Sequence, residues 1–173
     1  WRLHLDDTSV QDAATVILAN GIDAMALSGF SAMALAANRG QISYVAATPI
    51  SDRVTAPITF GSYLTPAVDG THVLGATFDR EADWSGDSWA AVREDDHRRN
   101  LESVAQRLPR LAAAFGDVTG GWTGLRATTP DRAPVVGPVP EGEAFASALS
   151  ATGVGGETGD LGFHIYQPGL FVL

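Results

Sequence analysis

The spacing of apolar positions changes along this chain. Arg2-Leu3-His4-Leu5 alternates as a strand does and runs into Asp6-Asp7-Thr8-Ser9, a turn composition with little before it to pair with. Ala14 to Ala19 is almost wholly apolar and stops at Asn20-Gly21, the pattern of a strand buried on both faces of a parallel sheet. From Gln41 the pattern becomes short β-branched and aromatic runs. Ile42, Tyr44, Thr59, Tyr63, Thr65, Val73 and Leu74 are separated by Pro, Asp and Gly, as in antiparallel sheet. Asp69-Gly70 falls between Tyr63-Leu64-Thr65 and His72-Val73-Leu74-Gly75, and both residue types tolerate the positive φ of a tight hairpin turn.

A helical period follows. Leu101, Val104, Leu108 and Leu111 recur at steps of three and four, with N-cap candidates at Ser85 to Asp87, acidic residues early and Arg107 and Arg110 late. Pro109 assigns the apolar tail to Phe115 to a second, shorter helical turn. Gly120 to Arg126 reads as a strand broken by glycines, which mark close approach of backbone or ligand. Beyond Pro140 the chain is rich in Gly, Ala and Ser, and Gly153 to Gly162 is expected to be a mobile loop. The fold class expected is α+β, a mainly antiparallel sheet with one long helix.

Composition narrows the chemistry. At 173 residues and 45% hydrophobic the chain can bury one sizeable core. No apolar run reaches the roughly eighteen residues of a membrane span, and the start lacks the features of a secretory signal, so a cytoplasmic setting without membrane contact is expected. With Cys 0, disulfides, thiolate zinc sites and cysteine nucleophiles are excluded. His4, His72, His97 and His164 lack a paired ligand spacing, so no metal is expected. A net charge of -9 disfavours a phosphate-gripping face, leaving any nucleic-acid grip to another part of a larger protein. No phosphate-binding loop or nucleophile elbow occurs. Gly153-Val154-Gly155-Gly156-Glu157-Thr158 only imitates the dinucleotide fingerprint, because Thr158 stands at its last glycine. Trp84 and Trp89 flank the long helix and read as packing or anchor contacts rather than a base-stacking platform.

Five ordered stretches carry a resemblance: Val16 to Gly21, Arg39-Gly40-Gln41-Ile42-Ser43, Tyr63-Leu64-Thr65-Pro66, Gly75-Ala76-Thr77-Phe78, and Gly124 to Gly137. Together they resemble the D-amino-acid-oxidase-like flavoproteins. Arg-Gly-Gln and the Gly-Leu-Arg-Ala-Thr before Pro-Asp-x-x-Pro look most like the tRNA-modifying oxidases of that family, which act in 5-methylaminomethyl-2-thiouridine synthesis. The resemblance implies an FAD enzyme in which an antiparallel sheet roofs the flavin and builds the substrate pocket. It assigns residues 1–38 to a remnant of the FAD-binding domain, 39–145 to the substrate-binding sheet, and 146–173 to a loop and a truncated return to the FAD domain. On this reading the chain is a piece of a longer protein, poor in FAD binding and inactive by itself, and a fused methyltransferase domain is possible in the parent.

The implied function is oxidative removal of the carboxymethyl group from carboxymethylaminomethyl-uridine in tRNA. Two alternatives stand beside it: a small-molecule glycine, sarcosine or D-amino-acid oxidase, and a non-catalytic binding module left by truncation. By resemblance Arg126 is both a catalytic residue and the holder of the substrate carboxylate, a role suited to a guanidinium fork. Pairing with Asp131 is its structural alternative. Tyr63 shares the catalytic and substrate-binding assignment, with an ordinary strand tyrosine as the alternative. Phe78 is a pocket wall or a core residue. Arg39, Gly40 and Gln41 are assigned to the flavin, or to a plain turn before a strand. Thr128 and Asp131 are expected to fix the loop that carries Arg126.

Overall fold

A computed structural model describes residues 1–30, 35–80, 88–145 and 165–173. In chain order the strands are β1 (Arg2–His4), β2 (Val10–Asp12), β3 (Val16–Leu18), β4 (Ala36–Ala46), β5 (Ile58–Thr59), β6 (Tyr63–Leu64), β7 (Thr71–Gly75), β8 (Val118–Thr128), β9 (Gly137–Pro140) and β10 (Tyr166–Val172). The α-helices are α1 (Ala24–Ser28), α2 (Glu94–Arg107) and α3 (Pro109–Ala112). The described chain is α+β, with antiparallel pairing dominant and helix confined to short stretches.

Two compact units emerge, Trp1–Ala36 with Ala127–Leu173, and Ala37–Arg126. Residues 127–145, expected with the sheet domain, therefore pack with the first unit. In that unit β1 finds its partner locally, pairing antiparallel with β2 around the Asp6–Ser9 turn. The apolar run of β3 pairs in parallel with β10, Val16 opposite Leu170 and Leu18 opposite Val172, and β9 flanks β10 on the other side. Burial on both faces is not what β3 shows: Ile17 is 62% exposed, while Val16 and Leu18 pack against Ala24, Val139, Leu170 and Val172. Among the described residues, only one side of this short sheet is covered by a core. Residues 146–164 lie outside the described residues, so the loop expected at 153–162 and the Gly153–Thr158 motif do too.

The second unit is a five-stranded sheet in the order β5-β6-β7-β4-β8, with α2 packed on it. The β6–β7 hairpin turns at Asp69 (φ 50) and Gly70 (φ 74), between the bridge partners Val68 and Thr71. Two successive positive φ values are the two-residue turn whose twist matches the strands, which is why Asp-Gly suits it. Val45, Leu64, Leu74 and Val104 are buried at the centre, and Leu101, Leu108, Leu111 and Phe115 close around them. Of the three- and four-residue steps read from the sequence, Leu101 and Val104 mark the face of α2 that meets the sheet, and Leu108 and Leu111 continue that apolar line past its C-cap into α3.

The start of α2 differs from expectation. Its 14 residues begin at Glu94, with Arg93 as N-cap. Ser85 to Asp87, and Trp84, lie outside the described residues. The cap comes from a distant residue, because Gln41 Oε1 accepts the Arg93 backbone N–H at 2.8 Å. Glu94, Asp95 and Asp96 crowd the first turn, where the helix dipole favours negative charge. Pro109 opens α3 as a separate turn at its first helical position.

Candidate functional site

Strand β4 divides its side chains between two faces, as period-two geometry requires. Arg39, Gln41, Ser43 and Val45 are buried, and each meets residues of α2, the segment leading into it, or the core beneath it. Gly40, Ile42 and Tyr44 point the other way. The first set forms a closed polar network. Arg39, 0% exposed, donates to Trp89 O (2.8 Å), Ala91 O (2.7 Å), Asp96 Oδ2 (2.6 Å) and Gln41 Oε1 (3.1 Å). Gln41 Nε2 donates to Arg93 O at 2.8 Å, and Asn100 Nδ2 donates to Gln41 O and to Ser43 Oγ, both at 3.0 Å. Ser43 Oγ also meets His97 Nδ1 at 2.8 Å. Arg99 spans Asp79 and Asp96, each at 2.9 Å. Partial burial works against the charge on Arg99, but Asp79 and Asp96 outweigh it and hold its pKa above the ordinary value.

This network changes the reading of the Arg39-Gly40-Gln41 triplet. The side chains assigned to a flavin oxygen are spent on anchoring α2, since Arg39 and Gln41 are fully buried with their polar atoms bonded inside the protein. Among the three, Gly40 alone belongs to the opposite, open face. The carbonyls of Trp89 and Ala91 also show what the segment before α2 does: it receives Arg39, an anchor role for the neighbourhood of Trp89.

On the open face, Arg126 of β8 lies across Gly40. A Cβ at residue 40 would sit 2.0 Å from Arg126 Nη1. Nη1 donates to Thr77 O at 3.3 Å, and Cζ stands 5.9 Å from the centre of the Phe78 ring. Among the described residues no carboxylate lies within ion-pair distance of Arg126. Asp131 is engaged elsewhere, accepting the Ala133 N–H at 3.0 Å while Thr129 Oγ1 donates to Ala133 O at 2.8 Å. The Ala133 N–H, together with the Thr129 side chain, holds the Asp131 carboxyl below the usual carboxylate range. Thr128 Oγ1 donates to Ala36 O at 3.2 Å.

Tyr63 of β6 pairs with Gly75 of β7, and its ring reaches so close over Gly75 that a Cβ there would meet Cζ, the hydroxyl and Ile42 Cγ2 at 2.9 Å each. Among the described residues the Tyr63 hydroxyl makes no hydrogen bond. Ser62 Oγ donates to Gly75 O, tying the turn before Tyr63 to the segment that continues through Thr77 to Phe78. Phe78 is 45% exposed, which sets it outside the buried core, and it stands beside Arg126. The short run from Gly75 to Phe78 thus meets Tyr63 at one end and Arg126 at the other.

Sequence reasoning passed over Trp122. It is 60% exposed, and its ring lies over Gly124, where a Cβ would come within 2.5 Å of Cη2. The signal was present: Trp122, Gly124 and Arg126 are spaced by two on one strand and so share a face. His72 and His97 are both buried and hydrogen-bonded, and among the described residues no cluster could hold a metal ion. No helix of the described residues is long and apolar enough to cross a membrane.

Comparison with known proteins agrees with this architecture. The profile of the DAO family, FAD dependent oxidoreductase, matches residues 1–159. A tRNA 5-methylaminomethyl-2-thiouridine biosynthesis bifunctional protein MnmC from Chromohalobacter salexigens is 32% identical, across 99% of this chain and 25% of the relative. The protein of the same name from Caulobacter sp. is 38% identical across 81% of this chain and 22% of its own length. The chain therefore spans about a quarter of the length of these curated relatives. Among solved structures, glycine oxidase from Bacillus cereus superposes with a TM-score of 0.64 at 21% identity, covering 99% of this chain and 38% of that one. L-proline dehydrogenase from P. horikoshii superposes at 0.63 with 15% identity, over 99% of this chain and 39% of its own. At such identities the superpositions speak for the fold, and the profile and the relatives speak for kinship: this chain belongs to the DAO family of FAD dependent oxidoreductases.

Proposed function

We propose that this chain supplies the substrate-facing sheet of an FAD-dependent oxidoreductase that removes the carboxymethyl group from carboxymethylaminomethyl-uridine in tRNA. The observation that carries the reading is Arg126: a guanidinium on the open face with no carboxylate partner among the described residues. A planar fork in that state can take an incoming carboxylate through two parallel charge-assisted hydrogen bonds. The modified uridine ends in such a carboxylate, and the names of the relatives place them in the synthesis of the neighbouring modification.

Half-buried Ile42 and Tyr63 pack over Gly75 as an apolar patch, the kind of surface against which a flavin ring would lie. Among the described residues no glycine-rich turn opens a long helix that could hold the diphosphate. FAD, when bound, accepts the hydride released from the carbon beside nitrogen. The work of this chain is placement. Arg126 fixes the acid end of the substrate, and Phe78 walls the guanidinium on one side. The Tyr63 hydroxyl, without a hydrogen bond among the described residues, offers one to the amine or acid, while the aromatic rings exclude water from the reacting carbon.

The test is a glyoxylate assay on the full-length, FAD-bound protein, offered undermodified tRNA and, separately, free glycine. Glyoxylate from tRNA alone supports the reading. Turnover of glycine and not of tRNA replaces it with a small-molecule amino-acid oxidase, and a full-length protein that binds no flavin removes both.

A further inference from the structure

Gly40 sits between two immobilised neighbours. Arg39 and Gln41 are locked under α2 by the hydrogen bonds given above, and Gln41 N and O are further tied to Thr77 Oγ1 (2.9 Å) and Thr77 N (3.1 Å). The backbone at residue 40 cannot rotate without breaking that network, so any side chain placed there must enter the open face. It would enter the volume of the Arg126 guanidinium: an added Cβ lies 2.0 Å from Nη1 and 2.6 Å from both Cζ and Nη2. All three colliding atoms are at the far end of a flexible side chain. The conflict is therefore relieved by moving the guanidinium, not the strand. Such a move takes Nη1 away from Thr77 O and the cation away from Phe78.

Resting on the reading that Arg126 anchors the substrate carboxylate, we infer that Gly40 is a positioning residue for that reaction. Its missing side chain is the seat of the guanidinium, and so sets where the carboxylate docks. The requirement is for absence of a Cβ, which no residue but glycine meets. A guanidinium pushed from that seat holds the carboxylate less well, so the loss falls first on binding.

The experiment is a double-mutant cycle on the full-length, FAD-bound protein, with Gly40→Ala, Arg126→Ala and the pair. Three quantities are read: KM and kcat for a carboxylated amine, the affinity of glycolate as an unreactive carboxylate, and the melting temperature. Gly40→Ala is expected to raise KM and weaken glycolate by about tenfold or more, with a smaller change in kcat. For an amine lacking the acid, the rise in KM is smaller than for the carboxylated amine. On the Arg126→Ala background Gly40→Ala does nothing further, because the volume it invades is empty. If Gly40→Ala alone folds poorly, the pair melts like Arg126→Ala alone, and the coupling is read from stability instead. Equal effects of Gly40→Ala in both backgrounds, or an unchanged KM and glycolate affinity, overturn the inference. Arg126→Ala with glycolate affinity intact refutes the anchor itself; Arg126→Ala that loses affinity beside an additive Gly40→Ala refutes only the seat.

Discussion

Replacing Arg39 by Met separates a structural role from a cofactor role. The guanidinium is fully buried and donates four hydrogen bonds, two to backbone carbonyls just ahead of α2. Without it, Trp89 O and Ala91 O lose their side-chain donor, and Asp96, 4% exposed at its side chain, keeps Arg99 as its ion-pair partner on Oδ1 alone. Removing one member of a buried pair costs about 3–5 kcal/mol when the charge left behind is unpaired, and because Arg99 still holds Asp96 at 2.9 Å the loss falls at the lower end of that range. The carbonyls add to that cost unless water reaches them. Methionine keeps most of the volume, so cavity formation contributes little. Urea unfolding of the chain, followed by far-UV circular dichroism, should show a lower midpoint at an unchanged slope. Arg39→Met with Asp96→Leu should recover most of the loss, since no charge is then stranded. A loss below about 1 kcal/mol for Arg39→Met would refute the anchoring role. So would intact stability combined with lost flavin affinity in the full-length protein.

Four further outcomes follow from the same structure. Arg126→Ala in the full-length protein should lower kcat/KM for a carboxylated amine by roughly 100-fold, the loss of about 3 kcal/mol of charge-assisted hydrogen bonding, and leave acid-free amines unaffected; steady-state kinetics on both substrates checks it. Leu74→Ala, at a position 0% exposed in the second unit, should cost about 2–5 kcal/mol in urea unfolding. Gly70→Ala places a Cβ at φ 74 and should cost about 1–2 kcal/mol by the same measurement, with no effect on flavin binding. The Asp131 carboxyl titrates below the ordinary carboxylate range, so what its hydrogen bonds contribute to the 129–133 turn is present above the unfolded pKa and lost as pH falls through the lower, folded one. An NMR titration of that carboxyl in the ordinary range or above it would contradict the hydrogen bonds described.

Local chemistry was legible in the sequence; partners far along the chain were not. Asp69-Gly70 announced its hairpin because the turn demands positive φ at adjacent positions and few residue pairs supply it. Leu101 and Val104 announced the buried face of α2, and Leu108 and Leu111 its continuation into α3, because helical period is a local property. The helix start was hidden, since the Arg93 N–H is satisfied by Gln41, 52 residues earlier, and no capping residue marks it in sequence. The partner of Val16–Leu18 was hidden for the same reason, lying at Leu170–Val172. In the site, the resemblance pointed to Arg126, Tyr63 and Phe78, which the structure places around one short segment. It could not tell which way Arg39 and Gln41 face, because alternation fixes that they agree with each other and oppose Gly40, not which of them meets the helix.

The two-sided character of β4 has a consequence for variation. Odd positions answer to α2 and even positions to whatever lies across the open face, so the two sets can drift separately as long as the strand keeps its length. Substitutions at Tyr44, or at Trp122 on β8, change the open face at little expense to the core under α2, whereas a residue inserted between Arg39 and Val45 would turn one half of the strand over and disturb both faces at once. The open face of this strand can change by replacement but not by insertion.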